Sequence, residues 1–191
     1  LLVEPQFDLL GLKAAVVGSR RAMAAEGREV PIQAQVTIEL TGRMLPGTEI
    51  GAALGAIESL GVDVVGMNCA TGPEEMGEHL RHLARHAAVP ISVIPNAGLP
   101  SVVDGEMHYD LTPEALADHL ERFVTELGVT VIGGCCGTTP EHLAAVVDRC
   151  RDLTPARREP RPEAGATSLY SFVPFDQDTS FLIIGERTNA N

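Results

Sequence analysis

Apolar positions along the chain follow two alternating rhythms. Short runs rich in β-branched side chains give way, again and again, to longer stretches in which apolar residues recur every third or fourth position. Such alternation predicts strand-then-helix units. The opening LLVEPQFD reads as a strand that ends at Glu4, and Leu9, Leu12, Ala15, Val16 and Met23 predict a helix from about Asp8 to Gly27. PIQAQVTIE, opened by Pro31, predicts a second strand; Ile50, Leu54, Ile57 and Leu60 predict a helix that Thr48 caps and Gly61 ends. VDVVGMNC is the third strand, and TGPEEM starts the next helix, with Pro73 in its first turn and Glu74 and Glu75 complementing the dipole. PISVIPNAG predicts a fourth strand, LTPEALADHLERFVTELG a helix between Thr112 and Gly128, VTVIGG a fifth strand, and TTPEHLAAVVDRC a helix with Thr139 and Pro140 at its start.

Five such units occupy residues 1–153. Strands read as continuous apolar runs, alternating with helices, predict a parallel sheet covered on both faces. Polar residues choose between the two architectures that fit. Glu4, Thr37 with Glu39, Asn68 with Cys69, Asn96, and Cys135 with Cys136 all fall at C-terminal strand ends. Strand ends converge on one face in a (β/α)8 barrel, whereas a doubly wound sheet gathers its site at one switch point. The expected fold class is therefore α/β, a partial (β/α)8 TIM barrel holding about strands 4–8. Residues 154–178, rich in Pro, Arg, Glu, Ser and Gly without a period, read as an inter-domain linker. Residues 179–191, with the run FLIIGERTNAN, read as the first strand of a second barrel. On this reading the chain is truncated at both ends.

Charge narrows the partners. Fourteen Lys and Arg against 26 Asp and Glu give a formal charge of −12. That balance disfavours nucleic acid and anionic membrane surfaces, although RREPR at 157–161 is locally basic. The N-terminus lacks the features of a secretory leader, and no apolar run reaches the roughly 18 residues of a membrane span. Four cysteines in such a chain argue for metal or catalytic chemistry over a disulfide framework, and a cytoplasmic location is expected.

The chemistry centres on GGCCGTTPEH, residues 133–142. Adjacent cysteines rarely close on each other, because the small ring departs from ordinary disulfide geometry. Cys135 and Cys136 can instead share one soft metal ion, with Cys69 as a third thiolate. Three thiolates on zinc leave one tetrahedral position open, as a catalytic site requires. Core packing of small cysteines and a redox pair are the competing readings. Cys150 reads as a packing residue. His79, His82 and His86 are read as solvent-facing helix positions without an acidic partner, outside the site. His119 and His142 are given structural roles, and Glu141 a role at its helix start.

GMNCATGP, PNAGLP and IGGCCGTTPEH together resemble the homocysteine-binding barrel of the zinc-dependent homocysteine S-methyltransferases. IGERTNAN, placed after a linker, looks like the opening of a pterin-binding barrel, and this pairing is similar to the cobalamin-dependent methionine synthases. Betaine-type relatives share the zinc motifs but would not continue into that second domain. The resemblance implies Zn2+ held by Cys69, Cys135 and Cys136, with the sulfur of homocysteine in the fourth position. It implies a contact from Glu4 to the substrate ammonium group, although Pro5 follows where the family commonly has Thr. Asn68 is implied at the substrate, with Asn96 ordering the site. Glu186 and Asn189 match pterin-contacting positions. Methylcobalamin and methyltetrahydrofolate would act through modules absent from this stretch, so the chain alone is expected to show no turnover. A non-catalytic zinc-binding piece is the reading from a different class.

Overall fold

The computed structural model describes residues 1–179, 181 and 182. A five-stranded sheet carries the fold. Its strands are β1 (Leu2–Gln6), β2 (Gln33–Val36), β3 (Val64–Asn68), β4 (Ile91–Ile94) and, later in the chain, β7 (Val131–Ile132). They lie side by side in the order β1-β2-β3-β4-β7, all parallel, with no reversal of strand order.

Between the strands run α1 (Leu9–Glu26), α2 (Ile50–Ser59), α3 (Pro73–His86) and α4 (Pro113–Leu127), and α5 (Pro140–Cys150) follows β7. Local chemistry sets most of their ends. The Asp8 carboxylate accepts from the Gly11 N–H at 2.7 Å, and Gly27 closes α1 at φ +61, a conformation that glycine adopts without a side-chain clash. Thr112 caps α4 through the Ala115 N–H at 3.2 Å, and Gly128 ends it at φ +66. One expected cap is corrected: Glu49, not Thr48, stands at the N-cap of α2, and its side chain makes no capping hydrogen bond. The Glu49 N–H donates to the distant Tyr170 carbonyl, while the Thr48 hydroxyl is buried without a partner among the described residues, a choice made by tertiary contacts.

Ala34, Val36, Val65, Met67, Ile91 and Val93 join Leu12, Ile57, Leu80, Leu83, Leu116 and Leu120 in one core, so the helices pack on one face. The other face carries Gln33, Gln35, Thr37, Gly66, Asn68 and Ser92, the alternate positions of the same strands. QAQVTIE is thus an alternating strand, not a continuous apolar one. On that polar face Gln33 and Gln35 both donate to the Ser92 hydroxyl, at 2.9 and 2.6 Å. Gly66 lies between Gln35 and Ser92 because a Cβ there would fall 2.5 Å from the Ser92 carbonyl oxygen.

Two hairpins were not expected. The first pairs β5 (Pro100–Val103) with β6 (Glu106–Tyr109) between β4 and α4. The second pairs β8 (Gly165–Thr167) with β9 (Phe172–Pro174) inside the stretch read as a linker. That stretch is tied down along its length. The Ala156 N–H donates to Val124, the Arg161 N–H donates to Arg85, and Arg158 donates to the carbonyls of Ala87 at 2.8 Å and Val89 at 2.6 Å, beyond the end of α3. The sixth strand expected in FLIIGERTNAN, with Glu186 and Asn189, lies outside the described residues apart from Phe181 and Leu182. Among the described residues no helix is long and apolar enough to cross a membrane.

Candidate metal centre

Cys69 follows β3 and Cys135 follows β7, with β4 between the two strands in the sheet. Two strand spacings separate such positions by roughly 10 Å in a flat sheet. The chain after β4 closes that gap. The Cys69 N–H donates to the Ile94 carbonyl and the Asn96 N–H to the Thr71 carbonyl, so residues 94–96 hold the Cys69 turn on one side. On the other side the Cys135 N–H donates to Pro95 at 2.8 Å, the Ala97 N–H donates to Cys136 at 2.9 Å, and the Cys136 N–H donates to Asn96 Oδ1 at 3.2 Å. Asn96 therefore orders both halves of the cysteine site.

Cys69 and Ala70 take φ values of +62 and +59, rarely used by residues with a side chain. This bend carries Cys69 out of the strand direction and toward the other pair. Strained backbone of this kind persists where surrounding bonds fix it, and it clusters at functional sites.

The three sulfurs meet. Cys69 Sγ lies 3.5 Å from Cys136 Sγ, Cys135 Sγ lies 3.9 Å from Cys136 Sγ, and all three fall within 4.8 Å of one another. None is in a disulfide. Zinc–thiolate bonds of about 2.3 Å at tetrahedral angles place sulfurs roughly 3.8 Å apart, so the donor set has the size and chemistry of a zinc site. Its electrostatics agree. Burial pushes the Cys69 thiol up, and burial followed by the Cys69 hydrogen bond and neighbouring sulfur charge pushes Cys135 up to about 12. Three thiolates crowd together unfavourably until a cation neutralises them.

The first hairpin supplies a neighbour that the sequence reading missed. Tyr109, the last residue of β6, lies over the turn at Gly137, where a Cβ would fall 2.5 Å from the ring Cδ2. Burial first, then the Cys136 and Cys69 sulfurs, push its hydroxyl up. Asp104-Gly105 was the signal: both residues have positive φ, the tight turn that this dipeptide favours in hairpins.

Other expected residues sort clearly. Asn68, at the end of β3, is 1% exposed, and its Oδ1 has no partner among the described residues. Glu4 lies within β1, which runs on to Gln6 instead of ending at Glu4 as expected; it stands on the edge strand of the sheet and does not join the sulfur cluster, and burial pushes its carboxyl up. His142 is structural: its Nδ1 accepts from the Thr139 N–H and its Nε2 donates to the Leu111 carbonyl at 2.8 Å. The histidines of α3 are corrected. His79, His82 and His86 are half-buried, and His86 has an acidic neighbour, Glu163, at 3.8 Å. His82 and His86 face α2 and the second hairpin, and His79 lies against the turn at Gly42, all outside the cysteine site.

The family model for homocysteine S-methyltransferase matches residues 1–150. The chain belongs to the homocysteine S-methyltransferase family. Within that family its relatives include the methionine synthases of Mycobacterium tuberculosis and Mycobacterium leprae, each 56% identical, over 191 and 196 aligned residues that take in all of this chain. The chain spans 16% of the length of each of these relatives. Among solved structures it is similar to the apo form of the homocysteine methyltransferase MmuM from Escherichia coli, with 25% identity and a TM-score of 0.59. That match covers 78% of this chain and 49% of the other. The metallated form of MmuM shares the fold at 24% identity and a TM-score of 0.52, over 74% of this chain and 41% of the other.

Proposed function

We propose that this homocysteine S-methyltransferase chain is the thiol-activating part of a cobalamin-dependent methionine synthase. The meeting of Cys69, Cys135 and Cys136 sulfurs within 4.8 Å carries the reading. In it the parallel sheet forms strands 4–8 of a (β/α)8 barrel, residues 154–178 link it to a second barrel, and Glu186 and Asn189 contact a pterin there.

Cys69, Cys135 and Cys136 would hold Zn2+, which supplies a Lewis acid that keeps an incoming thiol deprotonated near neutral pH. The chain's own residues prepare the place. Asn96 bonds the turns carrying the cysteines, and the left-handed backbone at Cys69 aims its sulfur at the other two. Homocysteine would bring its sulfur to this point and its amino-acid end toward Asn68 and Glu4. Its sulfur would then accept a methyl group from methylcobalamin to give methionine, with methyltetrahydrofolate recharging the cobalamin. The match to methionine synthases continues beyond residue 150, where the family model stops, and this favours the methionine synthase reading over a betaine-type enzyme.

Zinc titration of the purified chain tests the reading. One zinc per chain is expected, with loss in each of Cys69→Ser, Cys135→Ser and Cys136→Ser. Unchanged zinc content in the three variants would refute it. Zinc-edge absorption should show a further sulfur neighbour on addition of homocysteine; no such change would leave a structural metal site only.

A further inference from the structure

The histidines of α3 have no part in the function proposed above. Two of them, His82 and His86, stand one helical turn apart, and their ring centroids lie 4.6 Å from each other at an interplanar angle of 36°. Both rings line a small cavity between α2, α3 and the segment entering the second hairpin, together with Gly51, Glu58, Glu163 and Phe172. Its volume is about 50 Å3. A single water needs roughly 10–15 Å3 of such space, so the cavity suits an ion with a few waters and excludes an organic ligand. Gly51 helps to keep it open, since a Cβ there would lie 3.3 Å from His82 Nε2.

The two rings are held as metal ligands are held. His86 Nδ1 lies 3.1 Å from the Arg161 carbonyl oxygen and 3.8 Å from Glu163 Oε1. Only a protonated Nδ1 bonds a carbonyl oxygen, so in the neutral ring the lone pair is left on Nε2. A carbonyl or carboxylate on the far nitrogen is the usual support of a metal-bound imidazole. The ring separation fits as well. A metal about 2.1 Å from a ring nitrogen lies about 3.2 Å from the ring centre, so two rings sharing one ion at roughly 90–109° have centres about 4.6–5.3 Å apart. Burial, with His86 pushing the same way, holds His82 below the ordinary histidine range and so in the neutral form that binds metal.

We propose that His82 and His86 form a second metal site, separate from the cysteine centre, for a divalent transition-metal ion. Among the described residues only the three cysteines bring three such ligand groups together, so the α3 pair offers two nitrogens and water fills the remaining positions. Imidazole selects nickel or zinc over magnesium or calcium, which take oxygen ligands. Glu58 and Glu163 add negative charge around the cavity. Both ligands belong to α3, and the groups that steady His86 belong to residues 161–163, so the bound ion staples this segment to the helix.

The test uses the untagged 191-residue chain with zinc at its cysteine centre, to which nickel(II) alone is added. Nickel is paramagnetic, so the ring-proton NMR signals of His82 and His86 should broaden first, while those of His108 and His119 stay sharp and the zinc content is unchanged. His82→Gln and His86→Gln should each weaken nickel binding at least about tenfold. Nickel should slow tryptic cleavage at Arg157 in the unaltered chain and not in His86→Gln. Equal broadening of all histidine signals, release of zinc as nickel enters, or undiminished nickel binding in both variants would overturn the site. Unchanged cleavage with nickel bound would overturn the staple.

Discussion

Replacing Gly137 by alanine should damage the cysteine turn by two separable routes. Gly137 has φ +77, where an L-residue pays about 1–2 kcal/mol for crowding its own backbone. The new Cβ would also fall 2.5 Å from Tyr109 Cδ2 and 2.7 Å from Tyr109 Cβ. The ring escapes only by lifting the hairpin end from the turn, and forced overpacking of this kind costs about 1–3 kcal/mol. Gly137→Ala should therefore lower unfolding free energy by roughly 2–5 kcal/mol. Urea unfolding measures the total, and a double-mutant cycle divides it. In a Tyr109→Ala background the ring overlap is gone, so only the backbone part, about 1–2 kcal/mol, should remain. Cobalt(II) absorption recorded alongside should weaken in Gly137→Ala, because Cys136 is the preceding residue. An equal cost in both backgrounds would refute the packing of Tyr109 on this turn.

Gly66→Ala should be among the most damaging single-methyl additions, roughly 3 kcal/mol by urea unfolding, because its Cβ meets the rigid Ser92 carbonyl 2.5 Å away; a cost below about 1 kcal/mol would contradict the β3–β4 register. Arg158→Ala should free the segment after α5, seen as faster tryptic cleavage at Arg157, since Arg158 is bonded to the carbonyls of Ala87 and Val89. Equal cleavage rates would argue against that anchor. Burial holds His79, His82 and His119 below the ordinary histidine range, and at His82 the nearby His86, Arg85 and His79 push the same way against Glu163. The unfolded chain then takes up protons first as pH falls below about 6.5, so stability present at pH 7.5 should decline toward pH 5.5, before ordinary carboxylates titrate. His82→Gln should flatten that slope, and a flat profile in the unaltered chain would contradict the burial of these rings.

Features decided within a few residues were legible in advance. Asp8 with Gly27, Thr112 with Gly128, and Thr139 with Pro140 bound their helices because a cap is made by side chains and backbone three or four residues apart. Thr48 has the same local chemistry and does not cap, because Glu49 is bonded to Tyr170, more than a hundred residues away. The Asp104-Gly105 hairpin was readable from its turn residues, and Tyr109 with it. The half-burial of His82 and His86 was not, since it depends on α2 and on a hairpin that packs back from beyond residue 160.

The strand-and-helix rhythm, the parallel sheet and the three cysteines belong to the sequence itself, because periodicity and thiol chemistry are properties of neighbouring residues. Family membership also follows from residue patterns along one stretch. The sequence could place Cys69 and Cys135 only at two strand ends with one strand between them. Tertiary structure brought their turns together, through the bonds of residues 94–97 and the left-handed backbone at Cys69, and Cys136 Sγ came to lie 3.5 Å from Cys69 Sγ. It also decided which alternate positions of each strand face the helices. That choice left Thr37 Oγ1 and Asn68 Oδ1 buried without a partner among the described residues, because each strand turns only one of its faces toward the helical core.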